Sequence, residues 1–335
     1  MRMAMNWKMK MIAAAVLTAM LLMIAACGGN GAGNEPSAAP SNAASSPEAS
    51  ATVAPEIDDA ATAATVYPLT IKDDMGTELT FEKAPAKVVT LVPSETEVIY
   101  AIGGADLVAG VDTFSNYPAE AAAKPKVGDM TTNIEAVAAL SPDLVLASST
   151  MNTDAITKLR ELNIAVFASD PLTYDATIAK IENIGRIIDH NKEASEVAAH
   201  MREVKQQVAD AVKDAPKKSV YLEFSPGWTV GSGTFLDELL TIAGGTNVAS
   251  AQPGWYEVSA EEIVKQNPQV IIYPDMGESN PITAAIADRP GWNAIDAVKN
   301  KQQFAVTNDP LVRVGPRLAD GLLELAKAIH PDLFK

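Results

Sequence analysis

Two stretches of this chain repeat one another. Asn133-Ile-Glu135 leads through an apolar helical segment to Ser141-Pro-Asp-Leu-Val-Leu146, and Ser259-Ala-Glu261 leads through another to Asn267-Pro-Gln-Val-Ile-Ile272. In both, glutamate precedes proline by seven residues and an apolar strand follows at once. A chain of 335 residues is too long for one ordinary core and suits two lobes, given the usual ~100 to 200 residues per domain. The copies fall at comparable points of those lobes, so the repeat favours a duplicated architecture. Two like lobes facing each other imply a cleft between them.

The rest of the pattern fits that frame. Tyr67 to Phe81 reads as a hairpin around the turn Asp73-Asp-Met-Gly76. Apolar runs then alternate with helix-period segments: Val88–Val92, a helix over 94–102, Val108–Val111, a helix over 134–140, Leu144–Ala147, a helix over 153–162 and Ile164–Phe167. This alternation predicts an α/β lobe with a mainly parallel sheet. One helix reaches about Asp189. Another, over about 192–213, carries Val197, Met201, Val204, Val208 and Val212 at spacings of three and four and is closed by Pro216. At 1.5 Å per residue its 22 residues span about 33 Å. A second series follows: Ser219–Phe224, a helix over 235–243, Val270–Tyr273, the run Ile282–Ala287, Phe304–Thr307 and a last helix over 317–329. The expected organisation is a leader at 1–26, a linker at 27–66, a first lobe at 67–190, a joining helix at 191–216 and a second lobe at 217–335.

The beginning of the chain gives an address. Arg2, Lys8 and Lys10 precede the apolar run Met11–Ala26, which ends in Ile24-Ala25-Ala26 before Cys27, the sole cysteine. A positive region, an apolar core and small residues before a cleavage point make a secretory signal, and Cys27 resembles the lipid acceptor of a bacterial lipoprotein. The competing reading, a single membrane anchor, asks for a longer run than these ~16 residues. Both put the lobes outside the cytoplasm. From Gly28 to Val66 the chain is rich in Ala, Ser, Pro and Gly without an apolar period, the composition of a disordered tether reaching roughly 35 Å. The net charge of −16, with 26 basic against 42 acidic residues, argues against nucleic acid as partner. Loss of Arg2, Lys8 and Lys10 with the leader takes the exported part from −16 to about −19, which disfavours anionic headgroups and leaves the holding to acyl chains.

Enzyme signatures are missing. The sequence has no G-x-x-x-x-G-K-[ST], no G-x-G-x-x-G after a strand, no G-x-S-x-G and no H-E-x-x-H. Multi-cysteine metal sites are excluded by the single cysteine. Of the three histidines, His190 and His200 fall on or beside the joining helix and read as surface residues, with His330 near the end of the chain. Gly231-Ser-Gly233 reads as a tight turn feeding the helix at Phe235, and Asp129, Asp143 and Asp275 could pair as general acid and base, although helix capping explains them at least as well. No cofactor or metal is expected.

Val88-Val-Thr-Leu-Val-Pro-Ser-Glu-Thr-Glu97, Phe114-Ser-Asn-Tyr-Pro118 and Thr307-Asn-Asp-Pro-Leu-Val-Arg-Val-Gly-Pro-Arg317 resemble the substrate-binding proteins of ABC importers for vitamin B12, iron siderophores and haem, and within them the cobalamin-binding members. The resemblance covers roughly Tyr67 to Lys335. It implies two α/β lobes joined by one rigid helix, with a corrinoid held in the cleft by Phe114, Trp228, Trp255, Asp309 and Arg313. It further implies that Glu135 and Glu261, one on each lobe, dock onto arginines of a two-fold ABC permease that works with its ATPase. One departure bears on fine specificity: an aromatic of the family is replaced by the Asp129-Met-Thr-Thr132 stretch. The competing reading of each aromatic is a core residue, and of each glutamate a first-turn acid beside a helix dipole.

The sequence is therefore read as a membrane-tethered extracytoplasmic receptor that captures a corrinoid without catalysis and delivers it to an ABC permease. The alternatives are the same role for a ferric siderophore or haem, a sensor without transport and, more remotely, a cell-surface hydrolase.

Overall fold

The computed structural model describes residues 62–334. The leader at 1–26, Cys27 and most of the expected tether lie outside the described residues. The chain is tied to the first lobe ahead of Tyr67: the Ala63 carbonyl and Thr65 Oγ1 accept from Asn191 Nδ2 at 2.6 and 2.9 Å, and the Thr65 amide donates to Asp189.

The first lobe opens with the expected hairpin, β1 (Leu69–Lys72) paired with β2 (Glu78–Phe81). It continues through β3 (Val88–Thr90), α1 (Pro93–Ala101), β4 (Val108–Val111), α2 (Ile134–Ala139), β5 (Leu144–Ala147), α3 (Thr153–Glu161), β6 (Val166–Ala168) and α4 (Tyr174–Ile188). The joining helix α5 runs Asn191–Val212. The second lobe holds β7 (Lys218–Leu222), β8 (Trp228–Val230), α6 (Phe235–Ile242), β9 (Gly245–Asn247), β10 (Trp255–Glu257), α7 (Ala260–Gln266) and β11 (Val270–Pro274). It closes with α8 (Pro281–Asp288), α9 (Asp296–Lys299), β12 (Gln303–Val306), α10 (Asn308–Val312) and α11 (Leu318–Ile329).

Each lobe has one four-stranded parallel sheet, ordered β4-β3-β5-β6 and β9-β7-β11-β12. In both, the first strand lies between the second and third, and the fourth is at the edge. The repeat in the letters is thus a repeat of topology. It extends to the backbone: Ser141 and Asn267, the residues before the two repeated prolines, have φ of 48° and 46°, and asparagine tolerates that left-handed conformation better than most residues.

Strand alternation explains the cores. Val88, Leu144 and Leu146 face one way and Val89, Val145 and Ala147 the other; Val220, Leu222, Val270 and Ile272 oppose Tyr221 and Ile271 in the second lobe. Each sheet has a private outer cluster, whereas the inner faces merge into one cluster through Ala194, Ala198, Met201, Val204 and Val208 of α5. The joining helix is therefore part of the core and not a free strut. Truncating its fully buried Met201 costs about 2–5 kcal/mol by the usual cavity penalty.

Local differences from the sequence reading have plain causes. The run Ile282–Ala287 is helical because Asn280 caps it through the Ile282 amide and Pro281 occupies its first turn. Asp129, Asp143 and Asp275 cap turns and a strand entry instead of helices, accepting from the amides of Thr131, of Ala86 and Lys87, and of Gly277. Gly231-Ser-Gly233 is a turn, with Thr234 capping α6 through the Asp237 amide. A side chain at Gly231 would lie 1.7 Å from the Gln252 carbonyl, so only glycine permits that approach. No described helix is long and apolar enough to cross a membrane.

Candidate functional site

Open α/β sheets take ligands beyond the carboxyl ends of their parallel strands, and the strand ends here converge on a chamber of about 650 Å³ between the lobes. From the first lobe, the segments after β3, β5 and β6 supply Pro93 and Ser94, Ser148, Thr150 and Met151, and Asp170 and Leu172. From the second come Thr234 and Phe235 at the start of α6, Trp255 of β10, and Arg313 and Val314 after α10. The volume is that of a small-molecule site.

The second-lobe wall rests on a ribbon that is not among the elements expected from the sequence. β8 and β10 pair antiparallel, with Trp255 opposite Val230 and Glu257 opposite Trp228. Opposed residues and residues two apart share a face, so Trp228 lies on the same face as the chamber-lining Trp255. These indoles are 46% and 49% exposed, which the core reading of them does not fit. The Trp255 ring meets Phe224 edge-on at 4.8 Å, fixing its orientation.

The remaining expected residues are distributed differently. Arg313 lines the chamber, but its guanidinium is committed to protein groups: Glu97 at 2.7 Å, Asn116 at 3.0 Å and Asp309 at 2.7 Å. Asp309 is thereby a partner of Arg313 and is not itself part of the lining. Phe114 is 52% exposed and also outside the lining, on the loop whose Asn116 reaches Arg313. Glu135 and Glu261 are exposed in the first turns of α2 and α7, which are capped by Asn133 and Ser259. They occupy matching positions in the two lobes.

Glu97 had no assigned role in the sequence reading, yet it holds the lobes together. Its carboxylate, 2% exposed, accepts from Arg313 and twice from Arg317, at 2.9 and 2.6 Å. Burial works to lower the Arg317 pKa, but the hydrogen bonds and charge of Glu97 outweigh it and hold the guanidinium above its usual range. Beside this clamp, Lys180 pairs with Glu95 at 2.8 Å and donates to the Val314 carbonyl of the other lobe at 2.6 Å. Burial pushes the Glu95 carboxyl up while Lys180 pulls it down. The Tyr174 amide donates to Glu238 across the lobes at 2.6 Å.

Other chemistry is thin. His190 Nδ1 is 2.7 Å from the Ile102 carbonyl and His330 Nε2 is 3.2 Å from that of Gly244. These are structural partners: His330 is buried, His190 is half-buried where the sequence suggested a surface residue, and His200 is exposed as expected. Among the described residues no cluster of histidine, cysteine or carboxylates is placed to hold a metal ion.

Residues 88–310 match the model of a periplasmic binding protein family. An uncharacterised ABC transporter substrate-binding lipoprotein, YvrC of Bacillus subtilis, is 38% identical over 280 residues, spanning 81% of this chain and 88% of the relative. A cobalamin-binding protein of Halobacterium salinarum is 31% identical over 279 residues, or 79% of this chain and 74% of the relative. The crystal structure of a possible iron-binding, periplasmic solute-binding protein from Staphylococcus epidermidis superposes with a TM-score of 0.67 at 29% identity, covering 74% of this chain and all of that one. With its two parallel-sheet lobes, joining helix and cleft at the strand ends, the chain belongs to the periplasmic binding protein family, whose members are substrate-binding proteins of transporters and not enzymes.

Proposed function

We propose that this protein is a lipid-tethered, extracytoplasmic receptor that captures a corrinoid between its lobes and delivers it to an ABC permease dimer with its ATPase. The observation that carries the reading is the pair of half-exposed tryptophans on one face of the β8–β10 ribbon, with Trp255 in the chamber wall. A corrin ring is a broad, mostly apolar disc edged with amides. An indole burying ~200 Å² against it at ~25 cal/mol/Å² offers on the order of 5 kcal/mol before association costs are subtracted. The likeness to a cobalamin-binding protein supports the same choice. In this account Phe114 adds apolar contact from the first lobe, while Arg313, positioned by Asp309 and Glu97, serves amide groups of the ligand edge with the N–H groups that its protein partners leave over. Glu135 and Glu261 present two like anions to two like permease subunits, and Cys27 carries the lipid.

A ferric siderophore or haem is the second reading. It is favoured by the likeness to a possible iron-binding protein and by the absence of a first-lobe aromatic at Asp129-Met-Thr-Thr132. Calorimetric titrations of the chain with cyanocobalamin, haem and a ferric hydroxamate in parallel separate the two. One-to-one binding of cobalamin alone at roughly −8 to −12 kcal/mol is expected, and binding of only an iron complex would move the assignment to the second reading.

A further inference from the structure

The two walls of the chamber carry different charge, and the difference lies in a residue that the sequence reading did not single out. Asp170 follows β6 directly and lines the chamber. Its Oδ2 accepts four hydrogen bonds from the segment after β5: Ser148 Oγ at 2.7 Å, Ser149 Oγ at 3.1 Å, the Thr150 amide at 2.7 Å and Thr150 Oγ1 at 2.8 Å. Donors converging on one carboxylate oxygen hold the side chain in place. The backbone is held too, the Asp170 amide donating to Asp74 at 2.8 Å. Oδ1 has no protein donor among the described residues and is not among the enclosed, unpartnered atoms.

No cation pairs with Asp170 among the described residues. Lys180 is committed to Glu95 and to the Val314 carbonyl, and Arg313 to Glu97 and Asp309. Asp170 and Arg313 are the charged residues of the lining, and only the cation is neutralised within the protein. A ligand in the chamber therefore meets a fixed carboxylate with one free oxygen.

From this geometry we propose that Asp170 sets the charge selectivity of the cleft: its free oxygen accepts a polarised N–H from an uncharged, amide-edged ligand and repels an anionic one. The inference rests on the cleft being the ligand site and sharpens the corrinoid reading. Peripheral carboxamides of a corrinoid supply N–H donors without charge, whereas haem propionates or a ferric tris-catecholate bring negative charge to an anion that no cation offsets.

The test uses the full-length chain in mild detergent and compares cyanocobalamin with the mono-acids made by hydrolysing one of its propionamides, which are nearly isosteric but negative. At least one mono-acid isomer binds the wild-type chain tenfold or more weakly than the parent, and Asp170→Asn brings that isomer to within about threefold. Leu172→Lys is the second variant, because Leu172 lines the chamber, is 63% exposed and sits two residues from Asp170; it leaves the cradle of donors in place and narrows the same gap. A purely structural role for Asp170 would lower affinity for parent and mono-acids alike. Discrimination unchanged in both variants, or absent from the wild type, overturns the proposal. If the wild type does not bind cyanocobalamin at all, it is the corrinoid reading that falls. The charge rule is then read from a neutral ferric hydroxamate against haem, where equal affinities would overturn it.

Discussion

The two lobes share one sheet topology and even a left-handed residue before a repeated proline, but they build opposite walls. After β3, the first strand of its parallel sheet, the N-terminal lobe goes straight into α1, whose Glu95 and Glu97 are turned into ion pairs. After its first strand the C-terminal lobe instead makes the β8 half of an aromatic ribbon. The wall of the first lobe sets hydroxyls and the Asp170 carboxylate among Val92, Met151, Leu172 and two prolines, and that of the second sets indole, phenyl and guanidinium beside Thr234, Val312 and Val314. Duplication fixes where strands end, and the loops placed there decide the chemistry. A cleft between unlike walls can grip a ligand that is apolar on its face and polar at its rim.

The largest expected effect breaks the contact that sets the walls at their spacing. Glu97→Ala leaves two largely buried guanidinium groups, Arg313 and Arg317 at 12% and 18% side-chain exposure, without their shared anion. Breaking such a pair from one side costs about 3–5 kcal/mol, to be read from denaturant unfolding. The same variant should show a ligand-dependent change in small-angle scattering, whereas in the wild type the continuous core and the clamp keep the two profiles nearly the same. Next comes the aromatic wall. Trp228→Ala combined with Trp255→Ala should weaken corrinoid binding at least ~tenfold, about 1.4 kcal/mol, with little change in stability because both indoles are half exposed. Unchanged affinity in a calorimetric titration would remove the tryptophans from the site.

The symmetric feature behaves differently. Glu135→Ala with Glu261→Ala should cost no more than ~0.3–1 kcal/mol of stability per residue through lost dipole interaction, leave binding intact and abolish stimulation of the permease's ATPase. Normal stimulation would return both to the role of first-turn acids. The smallest effect belongs to the second lobe alone. Burial holds the His330 imidazole below its usual pKa; the Gly244 carbonyl acts against this shift and the Lys218 charge adds to it. A group depressed in the fold contributes stability that is full above its unfolded value of ~6.5 and is lost as pH falls through the lower folded value. The melting temperature should therefore decline from pH 7.5 to 5.5, and His330→Gln should flatten that decline; an unaltered slope would place the pH sensitivity elsewhere.

What the sequence disclosed follows from the range of the interactions. Strands β4 and β5 were legible to the residue because each is a continuous apolar run. The joining helix was off by one residue at each end. The ribbon was not legible: its strands have three residues each and sit behind Pro226-Gly227 and Pro253-Gly254, so turn signals masked them. β9, Gly245-Thr-Asn247, is likewise short and starts with glycine. In the site, Trp228 and Trp255 came from the resemblance, since residue type alone does not separate them from Trp292, which is buried in the core. Asp170 did not stand out, because its character comes from donors about 20 residues upstream, although polar residues right after apolar strands at Ser148 and Ser169 marked the place. Glu97 meets its arginines across 216 and 220 residues, and a single sequence carries no trace of such a pairing.

The central claim is that a corrinoid sits between these unlike walls, and cobalt makes that visible. Crystals of the protein grown with cyanocobalamin, measured at the cobalt absorption edge, should give one anomalous peak inside the chamber bounded by Trp255, Asp170 and Arg313. A peak outside that chamber, with none inside it, would contradict the account.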